Sequence, residues 1–215
     1  MRNTSEEQTL MKKRCKIIVF AKAPVAGFAK TRLARVIGDD AAAALATRML
    51  SETVAQAVAA AVGPVEICCA PDTSHAQFAI EQTRHTVALS AQGDGDLGAR
   101  MWRAFDRALS EYKTVIIIGT DAPGLHAAHL QLAAKALSTH NAAFAPAHDG
   151  GYVMVGLSRV MPSLFEGVNW STSEVMAQTR EKLLSLNASC FELPAFFDID
   201  EASDLQHLPA GWLVA

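Results

Sequence analysis

Three cations and a scatter of carboxylates carry the chemistry open to this sequence. Residues 20–33, FAKAPVAGFAKTRL, set Lys22, Lys30 and Arg32 around a single glycine, Gly27. Lysine offers a phosphate a point charge, and arginine offers two parallel N–H donors. With backbone N–H groups near a following helix, such a loop can cradle a diphosphate. A solvated basic loop would look the same. Two familiar nucleotide loops are excluded. A Walker A loop needs glycine where Pro24 and Ala29 stand, and a dinucleotide loop needs three glycines where there is one.

The carboxylates fall in four places. Asp121, in IIIGTDAPGL (116–125), follows the most strand-like run in the chain. A carboxylate leaving a strand's carboxyl end can hold a divalent cation that bridges phosphates, or it can cap a helix starting near Leu125 or His126. Asp149 precedes Gly150 and Gly151 in PAHDGGYVMVG (146–156). Those glycines would let a ligand approach the main chain, and Asp-Gly is equally a common turn. FFDIDEASDL (196–205) offers Asp198, Asp200 and Asp204, and QGDGDLGARM (92–101) offers Asp94 and Asp96. Both hold a D-x-D triplet, a pattern often quoted for sugar transferases, and the second reads as readily as a helix entry capped by Asp96. NWSTSEVMAQT (169–179) puts Trp170, Ser171 and Thr172 at a helix start. Ser171 or Thr172 can cap that helix with Glu174 nearby, while the Trp170 indole can stack on a sugar or a base.

The elements that must position these residues alternate along the chain. Short apolar runs at 16–20, 64–70, 85–90, 113–120, 142–147, 151–158 and 189–194 read as strands. Longer segments at 39–61, 73–83, 97–111, 126–140 and 171–187 read as helices, several with Ser, Thr or Asp at their starts. Strand–helix alternation with near-continuous apolar strands predicts an α/β fold with a mostly parallel sheet. Ligands of such sheets bind beyond the carboxyl ends of the strands, where the stretches above fall.

The bulk composition narrows the function. Of 215 residues half are hydrophobic and 19% charged, with a net charge of -3. A globular fold is expected, and a polyanionic nucleic-acid partner is not. No apolar run approaches the roughly 20 residues of a bilayer span. Cys15, Cys68, Cys69 and Cys190 show no metal-binding spacing. Free thiols of this kind fit a reducing compartment, so the cytoplasm is expected.

Taken in order, FAKAPVAGFAKTRLA, QGDGDLGARM, GTDAPGL, AHDGGYVMVGL, NWSTSEVMAQT and DIDEASDL resemble a bacterial family of small GT-A-like proteins. They are described as nucleotide-diphospho-sugar transferases, some of them assigned to arsenosugar biosynthesis. The resemblance runs from about residue 16 to about residue 205. The polar, acid-carrying start of the chain reads as a flexible tail over residues 1–13, and the resemblance implies a single GT-A domain over 14–215, a mixed, mostly parallel sheet flanked by helices on both faces. It gives Ala21, Lys22, Gly27, Lys30 and Arg32 the nucleotide and its phosphates. It makes Asp121 and Asp200 the ligands of Mg²⁺ or Mn²⁺, with Asp198 the other candidate for the late ligand. Here Glu201 and Ala202 replace the Thr and Pro of the related D-T-P-E-D-L element, and Val153 stands where the family shows a second tyrosine. Asp149 joins Asp121 as the expected catalytic pair, as a sugar contact or as the base for an acceptor hydroxyl. Gly150, Gly151, Tyr152, Trp170, Ser171 and Thr172 would line the sugar or acceptor pocket. The expected activity is sugar transfer from a nucleoside diphosphate to a small-molecule acceptor. Nucleotidyl transfer from an NTP, and a catalytically silent nucleotide-binding role, are the alternatives.

Overall fold

A computed structural model describes residues 13–212. Its strands are β1 (Lys13–Lys22), β2 (Val65–Ala70), β3 (Ala88–Ala91), β4 (Tyr112–Gly119), β5 (Ala142–Pro146), β6 (Tyr152–Leu157) and β7 (Cys190–Glu192). Its helices are α1 (Thr31–Ile37), α2 (Asp39–Ala59), α3 (Ala76–His85), α4 (Leu97–Leu109), α5 (Ala127–Ala136) and α6 (Val175–Ser185). Two 3₁₀ segments, Pro162–Leu164 and Ala202–His207, complete the framework.

The strands form one sheet in the order β3-β2-β1-β4-β6-β5-β7. Every neighbouring pair is parallel except β4/β6 and β5/β6. The reversal of β6 has a simple cause. Residues 147–151 alone join β5 to β6, and a parallel crossover needs a dozen residues or more. The reversal brings the first residue of β6 to the edge where β1, β4 and β5 end.

Both faces of the sheet are covered, which is why the strands read as unbroken apolar runs. Ile17, Val19 and Ala21 of β1 pack toward Leu50 and Val54 of α2 and Leu130 of α5. Ile18 points the other way, to Met101 and Phe105 of α4 and Met176 of α6. A small third cluster joins Leu33 of α1, Leu45 and Met49 of α2, and Ile199 near the end of the chain. Ile199 is thereby fixed beside α1, and with it Asp200.

Three local expectations are corrected. The seven-residue α1 was not anticipated, because its start, Lys30, has no side-chain cap. Helix α6 begins at Val175, four residues after Ser171. Ser171 instead sits at φ 64°, and the Thr172 hydroxyl donates to Asn169 O at 2.7 Å. Neither caps α6; its first turn follows Glu174. The expected tail lies outside the described residues except for Lys13, which already pairs with Tyr112 in the sheet.

Candidate active site

The loop after β1 is folded back on itself. Lys22 Nζ donates to Phe28 O at 2.7 Å, and Gly27 turns the chain at φ 78°. Lys30 then takes a left-handed conformation, φ 49° and ψ 43°, uncommon for a side chain of its size. That turn aims the ammonium inward. Lys30 Nζ lies 2.5 Å from Asp121 Oδ1, 3.0 Å from Asp200 Oδ1 and 2.6 Å from Ile199 O. The lysine side chain is only 7% exposed, while both aspartates are 47% exposed. Burial opposes the charged ammonium, but Asp121 and Asp200 outweigh it and raise its pKa.

Asp121 reaches this point because β4 ends two residues before it, and it does not cap α5, whose cap position is His126. Asp200 arrives from the far end of the chain. Ile199 N donates to Asp121 O at 2.9 Å, tying the late segment to the β4 loop. Asp204 Oδ2 accepts from the backbone N–H groups of Asp200 at 3.0 Å and Glu201 at 2.7 Å, which fixes the turn. That turn therefore survives the loss of Thr and Pro at Glu201 and Ala202. Arg32 stays at the surface, 64% exposed and 3.4 Å from Glu201 Oε1.

Beside the Lys30 pair opens a cleft of about 360 Å³, with Arg32, Asp149, Asp198 and Asp200 in its walls. One wall is a stack of rings that sequence reasoning missed: His148 on Phe197 at 4.1 Å, and Phe197 on His207 at 3.6 Å. Asp198 lies among them, its pKa raised to about 6 by burial and then by Asp149. Nothing in its immediate sequence neighbourhood distinguishes Phe197 as a ring-stacking residue, because His207 lies in the following 3₁₀ segment and His148 in the distant β5–β6 turn.

Asp149 sits in the β5–β6 turn, where its Oδ1 accepts from Gly151 N at 2.8 Å. The turn is a hairpin turn and also a wall of the cleft. Gly150 has φ 93°, and a Cβ there would fall 2.1 Å from Ser173 O. Only glycine permits that approach to the segment preceding α6. Tyr152 and Trp170 pack edge to face at 6.4 Å, on the α4 face of the sheet. A Cβ on Gly98 would lie 2.6 Å from Trp170 Nε1, so the indole rests on the first turn of α4.

The remaining expectations resolve simply. Ala21 is a core residue whose carbonyl accepts from the amide of Gln92, a buried residue not singled out by sequence. Asp96 caps α4 through Ala99 N at 2.8 Å, so the 94–96 triplet has a structural explanation. Lys30, Asp121 and Asp200 are brought into contact, and Asp149 and Arg32 line the adjoining cleft. Gly150 and Gly151 form the turn beneath Asp149, whereas Ser171 and Thr172 serve the loop before α6.

Among the described residues no group of three or more His, Cys, Asp or Glu is arranged around a metal position. The acid pair nevertheless suits a hard divalent cation. Asp121 and Asp200 each hold one oxygen within 3.0 Å of the Lys30 ammonium, so the cation they already share is a lysine. Their Oδ2 atoms accept no protein hydrogen bond among the described residues. Magnesium is commonly held by one or two carboxylates together with substrate phosphates.

This sheet, with cations and carboxylates along one loop edge, is that of the nucleotide-diphospho-sugar transferase fold. Within it the chain belongs to the family DUF2064, described as an uncharacterized protein conserved in bacteria, whose model matches residues 53–172. A protein of Desulfovibrio desulfuricans G20, provisionally described as a nucleotide-diphospho-sugar transferase, is 30% identical. The match covers 90% of this chain and 85% of that one, with a TM-score of 0.82. The 4-diphosphocytidyl-2C-methyl-D-erythritol synthase of Anaerococcus prevotii DSM 20548 matches 91% of this chain and 96% of its own, at 8% identity and TM-score 0.61. Rv0371c of Mycobacterium tuberculosis H37Rv, in complex with manganese, matches 94% and 98%, at 14% identity and TM-score 0.54. These last two share the fold alone. No curated protein matches the chain.

Proposed function

We propose that this protein moves a sugar from a nucleoside diphosphate to the hydroxyl of a small-molecule acceptor, with Mg²⁺ or Mn²⁺. The observation that carries this reading is the Lys30 ammonium held between Asp121 and Asp200 at the loop edge of the sheet. The similarity to the Desulfovibrio desulfuricans protein supports the sugar nucleotide as donor.

In the reaction the bond from the anomeric carbon to the diphosphate breaks, and a bond to the acceptor oxygen forms. The acceptor's proton passes to the Asp149 carboxylate, oriented by its hydrogen bond from Gly151 N at 2.8 Å. Asp121 and Asp200 would hold the divalent ion, which when bound supplies neutralisation of the leaving diphosphate. Lys30 adds a positive charge beside the ion, already desolvated and therefore stronger than an exposed one. Arg32 exchanges its loose contact with Glu201 for two phosphate oxygens. The four cysteines are free thiols, which supports a cytoplasmic location.

Nucleotidyl transfer would use the same residues but cut a different bond. Incubation with labelled UDP-, GDP-, CDP- and ADP-sugars and with the four NTPs separates the two. Release of nucleoside diphosphate from a sugar nucleotide is expected. Pyrophosphate release from an NTP with a phosphorylated acceptor would replace sugar transfer by nucleotidyl transfer. Nucleotide binding without either product, and indifferent to chelator, would leave a silent binding protein.

A further inference from the structure

The acid cleft has a counterpart of opposite character on the α4 face of the sheet. Between the sheet and the start of α4 lies a pocket of about 90 Å³, lined by Phe20, Leu97, Met101, Gly119, Tyr152 and Met154 among others. It exists because one strand position lacks a side chain. Ile117 and Gly119 share a face of β4, and a Cβ on Gly119 would meet nothing closer than Val153 O at 3.9 Å. The pocket adjoins the elements that carry the site. Gly119 lies two residues before Asp121, Tyr152 three after Asp149, and Leu97 is the first residue of α4.

Of the lining side chains, Tyr152 alone carries a hydroxyl. The Tyr152 hydroxyl has Met101 Sδ, at 4.0 Å, as its contact. A thioether is a weak acceptor, and tyrosine hydroxyls in buried settings usually find a better one. Burial raises the pKa of this phenol, so it keeps its proton and can donate it to an oxygen of a ligand. A sugar ring is a poor occupant, because its hydroxyls would lose water against Phe20, Leu97, Met101 and Met154 without replacement partners. The cation loop leads into α1 and the core cluster of α2, whereas the pocket lies on the α4 face.

We propose that this pocket is the acceptor subsite, and that the acceptor carries a compact apolar group beside an oxygen that receives the Tyr152 hydrogen bond. A dry cavity of about 150 Å³ holds benzene, so about 90 Å³ corresponds to about three or four non-hydrogen atoms. Its assignment to the acceptor rests on the transferase reading; its preference for an apolar group rests on the lining residues. Each methylene buried there strengthens binding about fourfold.

The test uses the full-length protein labelled with ¹³C at the methionine methyls, titrated with propan-2-ol and, separately, with ethane-1,2-diol. Both probes have four non-hydrogen atoms. Saturable shifts of the Met101 and Met154 signals with propan-2-ol alone are expected, while Met49, in the third cluster, stays still. In Gly119→Val the added side chain fills the pocket, and the response falls at least fourfold. Leu97→Ser, at a position already 43% exposed, weakens it without burdening the fold. Silent Met101 and Met154 signals, equal responses to both probes, or an undiminished response in folded Gly119→Val or in Leu97→Ser would overturn the proposal. A parallel titration with UDP, GDP, CDP and ADP plus MnCl₂ tests the transferase reading separately. If no nucleotide binds, the acceptor assignment falls, while a propan-2-ol response would still establish the apolar site.

Discussion

At the loop edge of the sheet a buried ammonium, Lys30, serves two half-exposed carboxylates, whereas near the start of β2 a buried carboxylate, Glu66, serves two cations and a hydroxyl. Glu66 of β2 is 3% exposed. Its Oε2 lies 2.5 Å from Lys16 Nζ, its Oε1 accepts from Ser90 Oγ at 2.5 Å, and Arg107 of α4 reaches both oxygens. Burial opposes its ionisation, but Arg107, Lys16 and Ser90 outweigh that and hold its pKa at about 2. Every lone-pair direction of Glu66 is thus engaged, and the network has nothing to offer a ligand. In the Lys30 network the sealed charge is the cation, and each acid keeps an oxygen toward solvent. The sign of the buried member therefore separates a structural ion cluster from one that can still bind.

The contrast can be broken at several points. Glu66→Ala should be the most damaging change, because it leaves Lys16 and Arg107 beside an apolar strand. A loss of about 3–5 kcal/mol in urea denaturation is expected, and a loss under about 1 kcal/mol would remove the distinction. Acid should have a similar effect on the intact protein. The folded pKa of Glu66 lies below its ordinary value of 4.5. Its contribution is therefore full above about pH 4.5 and lost as pH falls through about 2, amounting to about 3 kcal/mol. Urea midpoints measured down that range should fall less steeply in Glu66→Gln.

At the loop edge the expected losses are functional. Asp121→Asn should lower the transfer rate about 100-fold or more, with stability lowered by only about 1 kcal/mol, since the buried Lys30 keeps Asp200 and the Ile199 carbonyl as partners. Full activity in this variant would exclude Asp121 from the chemistry. Lys30→Met should tighten Mn²⁺ binding without nucleotide by about tenfold, because no ammonium then competes for the two acids. Weaker Mn²⁺ binding in an electron paramagnetic resonance titration would instead make Lys30 the residue that positions them. Asp96→Ala is the control, a carboxylate with only a capping role. It should cost about 1 kcal/mol and leave product formation unchanged.

Much of the architecture was legible in the sequence. The runs KIIVF and TVIIIG announced central strands because both faces of those strands are buried. The reversal of β6 followed from a five-residue connection that alternation alone does not weigh. Lys30, Asp121 and Asp200 were each visible as chemistry-bearing residues, but their contact was not, since they are 91 and 79 residues apart in turn. The pocket on the α4 face was hidden for another reason. It depends on a side chain missing at Gly119, and within a strand-forming run that glycine reads as the start of a turn. The stacked rings of His148, Phe197 and His207 join segments that only the completed sheet brings together.

The late position of Asp200 has a consequence for the order in which the protein becomes competent. A chain emerging from the ribosome presents Lys30 and Asp121 long before Ile199 and Asp200. Until that last segment docks on α1 and the β4 loop, the lysine has one acid and lacks the Ile199 carbonyl. All seven strands can be in place while the edge of the sheet is still incomplete. Proteolytic clipping between β7 and Asp200 would leave the same half-wired lysine on an otherwise intact sheet.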